Sequence, residues 1–474
     1  MVFSSLTFLF IFLPLVLTFY FIIPQKHIKA RNIVLLIFNL IFYAYGEPKN
    51  CIVMLLSIIL NYIIGLLIDA CEYKSKKAKF WVFIAAFLNL GVLVYFKYTT
   101  FIVENISNLF GLDIVMNQII KPIGISFFTF QGLSYVIDVY RRDTGCQKSL
   151  FNVALYISLF PQLIAGPIVR YETIANEITE RNTSVEDFAL GIRRFMVGLG
   201  KKLILSNAIG QVADAFYNSP VPNLSVVGAW VGPIAYAFQI YFDFSAYSDM
   251  GIGLGRVFGF HFLENFNYPY MSKTITEFWR RWHISLSSWF KEYVYIPLGG
   301  NKKGMARQIL NIAIVWALTG LWHGANWNFV LWGVYYGALL ILEKVFLLKV
   351  LDKIPNFFGH IYTMFLVVIG WTIFSQTDFS AMGRYLKAMF GFGGVKVVNQ
   401  DFVYYLTCHA VVLVIAVLAS LDYNTLLAKI KLKERLHNSI GGNVIRAVVM
   451  VALLVLSFAF LVGDSYNPFL YFRF

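Results

Sequence analysis

The sequence predicts an all-α integral membrane protein with roughly eleven or twelve transmembrane helices, some of them broken or re-entrant. Of the 474 residues, 59% are hydrophobic and only 14% charged, whereas a soluble domain sits near half apolar and a quarter charged. Mean hydropathy is +0.68. Apolar runs of about span length recur along the whole chain. Phe, Tyr and Trp make up 18% of it, as suits lipid-facing surfaces and interfacial belts.

A hydrocarbon core of about 30 Å needs ~20 helical residues. Candidate spans fall near 5–23, 32–46, 51–69, 80–97, 118–139, 151–169, 226–248, 309–320, 326–348, 357–376, 402–420 and 445–463. The opening stretch MVFSSLTFLFIFLPLVLTFYFII has no basic leader and no small-residue cleavage site, so it reads as a retained span. The basic loops QKHIKAR (25–31) and YKSKKAK (73–79) are two spans apart and share a side. The positive-inside bias puts that side in the cytoplasm and the N-terminus outside. The same bias accounts for the net charge of +14 without nucleic acid. In EDFALGIRRFMVGLGKKLIL (186–205), Arg194 and Lys201 share a helix face with Arg193 and Lys202 beside them. This pattern predicts a basic amphipathic helix at the cytoplasmic interface, contacting lipid headgroups or docking an anionic donor. No internal repeat or separately folding soluble segment interrupts the pattern, so one polytopic domain fills 1–474. Cys51, Cys71, Cys146 and Cys408 lie far apart and have no metal-ligand spacing, so they read as small apolar residues.

Three polar features stand out from the apolar background. Between Ile309 and Leu342, His323 alone carries charge near neutral pH. A continuous helix over those residues would run about 51 Å, too long for one ordinary span. The break falls at TGLWHGANW (319–327), where Gly320 and Gly324 flank His323 and Asn326 follows. Interrupted backbone at membrane depth lines a cavity or is buried in protein, which predicts that His323 faces a cavity beside Asn326. An imidazole there can take a proton from a hydroxyl and return it. The alternative is a neutral histidine bridging the helix junction to a carbonyl.

The second feature is TEFWRRWHISLSSWFKEYVYIPLGGNKKG (276–304), too charged to span lipid and therefore interfacial or re-entrant. Arg280, Arg281, Trp282 and Lys291 combine cations with aromatic surface, which fits a phosphorylated, adenine-bearing donor. Cations snorkelling in an aromatic belt are the plainer account. The third is FQIYFDFSAYSDMGIGLGRVFG (238–259). Asp243 aligns with Tyr247, and Ser245 with Asp249, each at i,i+4. These four form a candidate polar network that lines a channel or caps helices. Gly251, Gly255 and Gly259 form a small-residue stripe for close helix packing, not a dinucleotide loop. The chain has no Walker loop, HExxH, GxSxG or HxxxxD, so ATP coupling, zinc hydrolysis and a self-contained serine triad are excluded. No metal site is expected.

FSAYSDMGIGLGRVFGF, ENFNYPYMSKTITEFWRRWHISLSSWFKEYVYIPLGGN, TGLWHGANWNFVLWGVYYG and YNPFLYFRF resemble the membrane-bound O-acyltransferase family. The closest branch is that of bacterial alginate-type polysaccharide O-acetyltransferases. PIGISFFTFQGLSYVIDVYR (122–141) and FPQLIAGPIVRY (160–171) extend the likeness over essentially the whole chain. The resemblance implies helices around a central channel in a bacterial cytoplasmic membrane, and an acyl group moved from a cytoplasmic thioester towards an outside acceptor. It makes His323 the catalytic residue and places His283 on the cytoplasmic side of the channel. It implies acetyl-CoA as co-substrate with no resident cofactor, a polysaccharide acceptor and an extracytoplasmic serine-esterase-like acetyltransferase as partner. D-alanyl transfer to teichoic acid from a carrier protein is the rival within the family. A polysaccharide transporter or flippase, or a silent assembly scaffold, is the rival outside it.

Overall fold

The computed structural model describes residues 1–114, 116–117, 119–220, 223–422, 440–463 and 469–470. Among these the chain is helical, with one isolated β-bridge between Ser225 and Lys396. It divides into two compact units, Met1–Phe195 with Tyr247–Glu264, and Met196–Ala246 with Asn265–Phe474.

The first unit begins with α1 (Leu13–Ile22), α2 (Ile28–Gly46), α3 (Cys51–Asp69) and α4 (Lys76–Phe110). It continues through α5 (Ile125–Arg141), α6 (Leu150–Ser158), α7 (Phe160–Leu163), α8 (Tyr171–Thr179) and the start of α9 (Val185–Gly200). Ser75 caps α4 by accepting the Ala78 N–H at 3.1 Å, and Gly111 ends it at φ +64°. Polar residues join these helices where lipid offers no hydrogen bonds. Asn61 and Asn89 exchange amide bonds of 3.0 and 2.9 Å between α3 and α4. A Cβ on Gly132 would lie 2.4 Å from Asn61, so glycine brings α5 against α3.

The second unit holds α10 (Asn207–Tyr217), most of α11 (Val226–Val257), α12 (Ile275–Arg281) and α13 (Ile284–Phe290). After them come α14 (Met305–His323), α15 (Trp327–Leu342), α16 (Leu348–Leu351), α17 (Asn356–Ser375), α18 (Phe379–Met389), α19 (Gln400–Ala419) and α20 (Ile440–Gly463). Seven described helices are long and apolar enough to cross a membrane: α2, α3, α4, α14, α17, α19 and α20. Each matches an expected span. The other five expected spans hold helices that are too short or, for α11, less apolar. The chain is a multi-pass membrane protein.

Three sequence expectations change. Arg194 is ion-paired at the surface of the first unit: it donates to Asp249 Oδ1 at 2.9 Å and to Glu264 Oε1 at 2.6 Å. Lys202 is 3% exposed and lies 2.7 Å from Asp243 Oδ1 within the second unit. Buried Asp243 satisfies Lys202 more fully than headgroups would, because an unpaired charge out of water is costly. Arg193 alone of the four is exposed. Of the expected stripe, Gly251 packs closely, since a Cβ there would meet the Pro161 carbonyl at 2.4 Å, and one on Gly253, off the stripe, would meet the Gly191 carbonyl at 2.6 Å. Gly259 lies beyond α11 at φ +85° and serves a turn. Of YNPFLYFRF, only Phe469 and Leu470 lie within the described residues.

Candidate active site

The run from Ile309 to Leu342 forms a tight helical hairpin. Glycines set its closeness: a Cβ on Gly320 would meet the Phe329 carbonyl at 2.5 Å, and one on Gly333 the Trp316 carbonyl at 2.5 Å. α14 stops at His323, Gly324 is extended, and a Cβ there would strike the Phe329 ring at 2.2 Å. His323 thus sits at the hairpin tip, 8% exposed. The Trp332 and Phe374 rings stand edge-on to it, with centroids 5.0 and 5.3 Å away. Asn326 caps α15, its Oδ1 accepting the Asn328 N–H at 3.3 Å. That cap accounts for the asparagine, and Asn326 is absent from the walls of both cavities described next.

A cavity of about 310 Å³ reaches His323 along α14. Its wall includes Ile312, Val315, Trp316, Thr319 and His323, a depth of about 16 Å at helical rise. Arg280, Trp282, His283 and Lys291 from the polar block line it too. Arg280 and Lys291 are exposed, whereas Trp282 and His283 are buried. Arg281 is not on this wall; it pairs with Glu277 at 2.8 Å and donates to the Asn267 carbonyl. A second, smaller cavity of about 20 Å³ lies against the same two residues, Trp282 and His323, with Asp243, Trp371, Phe374 and Leu470. His323 therefore borders both spaces.

His283 is held in the left-handed region at φ +45°, which costs energy for any residue with a Cβ. The segment 265–267 binds back to it: Asn267 N–H donates to the Arg281 carbonyl and Ile284 N–H to the Asn265 carbonyl, both at 2.9 Å. Asn265 Oδ1 accepts the Ser285 N–H at 3.2 Å, which fixes the orientation of the amide, and lies 3.1 Å from His283 Nδ1. Nδ1 is therefore the donor, and the other ring nitrogen keeps its lone pair. Nε2 is buried with no hydrogen-bond partner among the described residues. Burial lowers the basicity of this imidazole to a pKa of about 3, so it is neutral at physiological pH.

The remaining expected residues separate. Asp243 joins the small cavity, paired with Lys202 and accepting the Leu470 N–H at 2.8 Å. Ser245 is buried in the same unit. Tyr247 and Asp249 belong to the other unit, where Tyr247 stacks on Phe3 at 4.4 Å and Asp249 holds Arg194. Of the four, Asp243 alone lines either cavity.

Two residues were missed, Asn265 beside His283 and Glu343. Glu343, at the end of α15, is fully buried and accepts the Ile275 N–H at 2.7 Å, the Thr276 N–H at 2.8 Å and Thr276 Oγ1 at 2.7 Å. It ties α12, which carries Trp279 and Arg280 on the cavity wall, to the helix that follows His323. A lone carboxylate at the end of the apolar run 327–342 was the available signal, since such a group must be satisfied internally.

Residues 144–379 match the model of the MBOAT, or membrane-bound O-acyltransferase, family. The probable alginate O-acetylase AlgI of Pseudomonas putida is 38% identical over 500 residues, covering 100% of both chains. The chain belongs to the membrane-bound O-acyltransferase family. Within that family it falls in the alginate-type O-acetyltransferase branch. The peptidoglycan O-acetyltransferase of Helicobacter pylori is 30% identical over 100% of this chain and 98% of its own. The teichoic acid D-alanyltransferase of Bacillus subtilis is 28% identical over only 48% of this chain and 60% of its own. An acyltransferase needs an acyl donor and a nucleophile to meet at one group that moves protons, and the family match includes both histidine-bearing stretches.

Proposed function

We propose that this O-acyltransferase takes an acetyl group from cytoplasmic acetyl-CoA and passes it outward, for O-acetylation of a surface or exported polysaccharide such as alginate. The basic loops support this sidedness: Lys302, Lys303 and Arg307 before or within the start of α14, and Lys344, Lys349 and Lys353 after α15, lie at one end of the hairpin and read as cytoplasmic. By the same rule the N-terminus is outside and the membrane is the bacterial cytoplasmic one. The observation that carries this reading is His323 on the wall of both cavities, with exposed Arg280 and Lys291 on the larger.

The two cations bind the donor's phosphates, and the thioester arm lies along the aromatic wall of the 310 Å³ cavity. His323 takes the proton of the acceptor hydroxyl as its oxygen attacks the thioester carbonyl. The tetrahedral intermediate collapses by breaking the C–S bond, and the departing thiolate recovers the proton as coenzyme A thiol. His283, neutral with a free Nε2 lone pair on the same wall, accepts a hydrogen bond from the donor arm. It positions the donor and does not serve as an acid. The acceptor-side space holds about 20 Å³, enough for roughly one water. A slender hydroxyl fits this approach better than a sugar chain does, which favours transfer through a serine-esterase-like partner.

Thiol release from acetyl-CoA by the purified protein with its acceptor tests the reading. His323→Ala is expected to lower the rate ~10²–10⁴-fold while the melting temperature holds. Undiminished release would remove His323 from the chemistry.

A further inference from the structure

A cavity of about 600 Å³, larger than that beside His323, lies between the end of α10 and α18. Tyr217, Ser219, Gln376, Arg384, Tyr385 and Lys387 line it. The helix that forms its wall is amphipathic for a clear reason. Met382, Tyr385 and Met389 recur at three- and four-residue spacing and are buried. Arg384 and Lys387 are exposed from the same helix and line the cavity. Asp378 caps the helix through the Ala381 N–H, and the Tyr385 ring packs 5.2 Å from that of Tyr217. Arg384 Nη1 donates to Ser380 Oγ at 2.7 Å, one turn back. Among the described residues no carboxylate forms an ion pair with Arg384 or Lys387.

The face of the membrane follows from α17. Its 20 residues extend about 30 Å, the depth of the hydrocarbon core. Its first turn packs on Lys273, near the Glu343 end of the hairpin, while Phe374 in its last turn meets His323. The cavity follows the last turn, so it opens on the side opposite the basic loops. Cations there run against the positive-inside bias. Their placement therefore calls for an anion from outside.

We propose that this cavity is a docking site for an anionic glycan, one carboxylate-bearing sugar unit of the acceptor polymer at a time. The volume falls within the ~300–1,000 Å³ of small-ligand sites. A planar guanidinium accepts a carboxylate in two parallel bonds and the ammonium adds a point charge. The half-buried Tyr217 ring, backed by buried Tyr385, gives a sugar an apolar edge to lie on, with Ser219 and Gln376 for its hydroxyls. A concave site with hydroxyl-matching groups fits a saccharide better than the flat rim of an acidic protein. The site holds the polymer at the outer face while the partner carries the acyl group to it from the His323 passage, so it rests on the sidedness and the transfer proposed above.

The test uses full-length protein in phosphatidylcholine nanodiscs, titrated with a short oligouronate and with a neutral oligosaccharide of equal length. The charged chain is expected to bind at least about tenfold more tightly, and Arg384→Gln/Lys387→Gln is expected to erase that preference. Equal binding of the two chains, no binding of either, or an unaffected double variant overturns the assignment. Loss of oligouronate binding when phosphatidylglycerol is added to the disc gives the cations to lipid headgroups and overturns it too. Thiol release from acetyl-CoA, measured on the same samples with the acceptor partner added, separates the two readings. Release without oligouronate binding sinks the glycan site alone, and binding without release sinks the acetyl-CoA reading alone.

Discussion

Lys202→Met removes an ammonium that lies 2.7 Å from Asp243, where the two side chains are 3% and 2% exposed. The carboxylate left behind keeps the Leu470 N–H but loses its countercharge. Stranding one member of a buried pair costs about 3–5 kcal/mol. Unfolding entropy of about 2 cal/mol/K per residue, over 474 residues, amounts to about 1 kcal/mol/K. The single variant is therefore expected to melt about 3–5 °C lower. Asp243→Leu alone strands the ammonium and falls by a similar amount. The double variant removes both charges, and replacing a whole buried pair with apolar groups is often neutral, so it should recover most of the loss. Thermal unfolding of all four proteins in one detergent gives the cycle. A Lys202→Met protein that melts within about 1 °C of the parent, or a double variant that loses the sum of the singles, refutes the argument.

Two further outcomes follow from the site. Glu343→Gln keeps one acceptor oxygen but turns an N–H toward Thr276, so α12 loosens and the KM for acetyl-CoA rises about tenfold with kcat little changed; a drop in kcat alone contradicts a positioning role. His283 has a folded pKa lowered by burial to about 3, against about 6.5 unfolded. The unfolded chain then binds the extra proton as pH falls below 6.5, so stability is full above that value and declines by up to ~1.4 kcal/mol per pH unit down to about 3. His283→Gln is expected to flatten melting temperature against pH between about 6.5 and 4, and an unchanged profile rules out the buried neutral imidazole.

Much of the fold was legible one residue at a time. Lipid forces every backbone polar group into internal hydrogen bonds, so span-length apolar runs have only the helix open to them, and seven of the expected spans are such helices. The hairpin break was legible as well, because glycines, asparagine and a lone histidine in an apolar run have few other uses. Side-chain partners were not. Arg194 and Lys202 look like unpaired interfacial cations in sequence, and only the carboxylates of Asp249 and Asp243, more than forty positions away in the chain, pair them, Lys202 in the interior. Asp243 and Asp249 are six residues apart yet belong to different units, because a helix distributes neighbouring positions around its axis. Glu343 and Asn265 escaped notice since their work is done on backbone N–H groups and a ring far away in the chain.

What the sequence by itself determined was the solvent, the secondary structure and the place where a helix must break, since these depend on local composition and period. Only the tertiary structure decided which cations are neutralised and which remain available, and that His323 borders two cavities at once. Both depend on groups brought together by packing, where a charge out of water must find a partner across the fold.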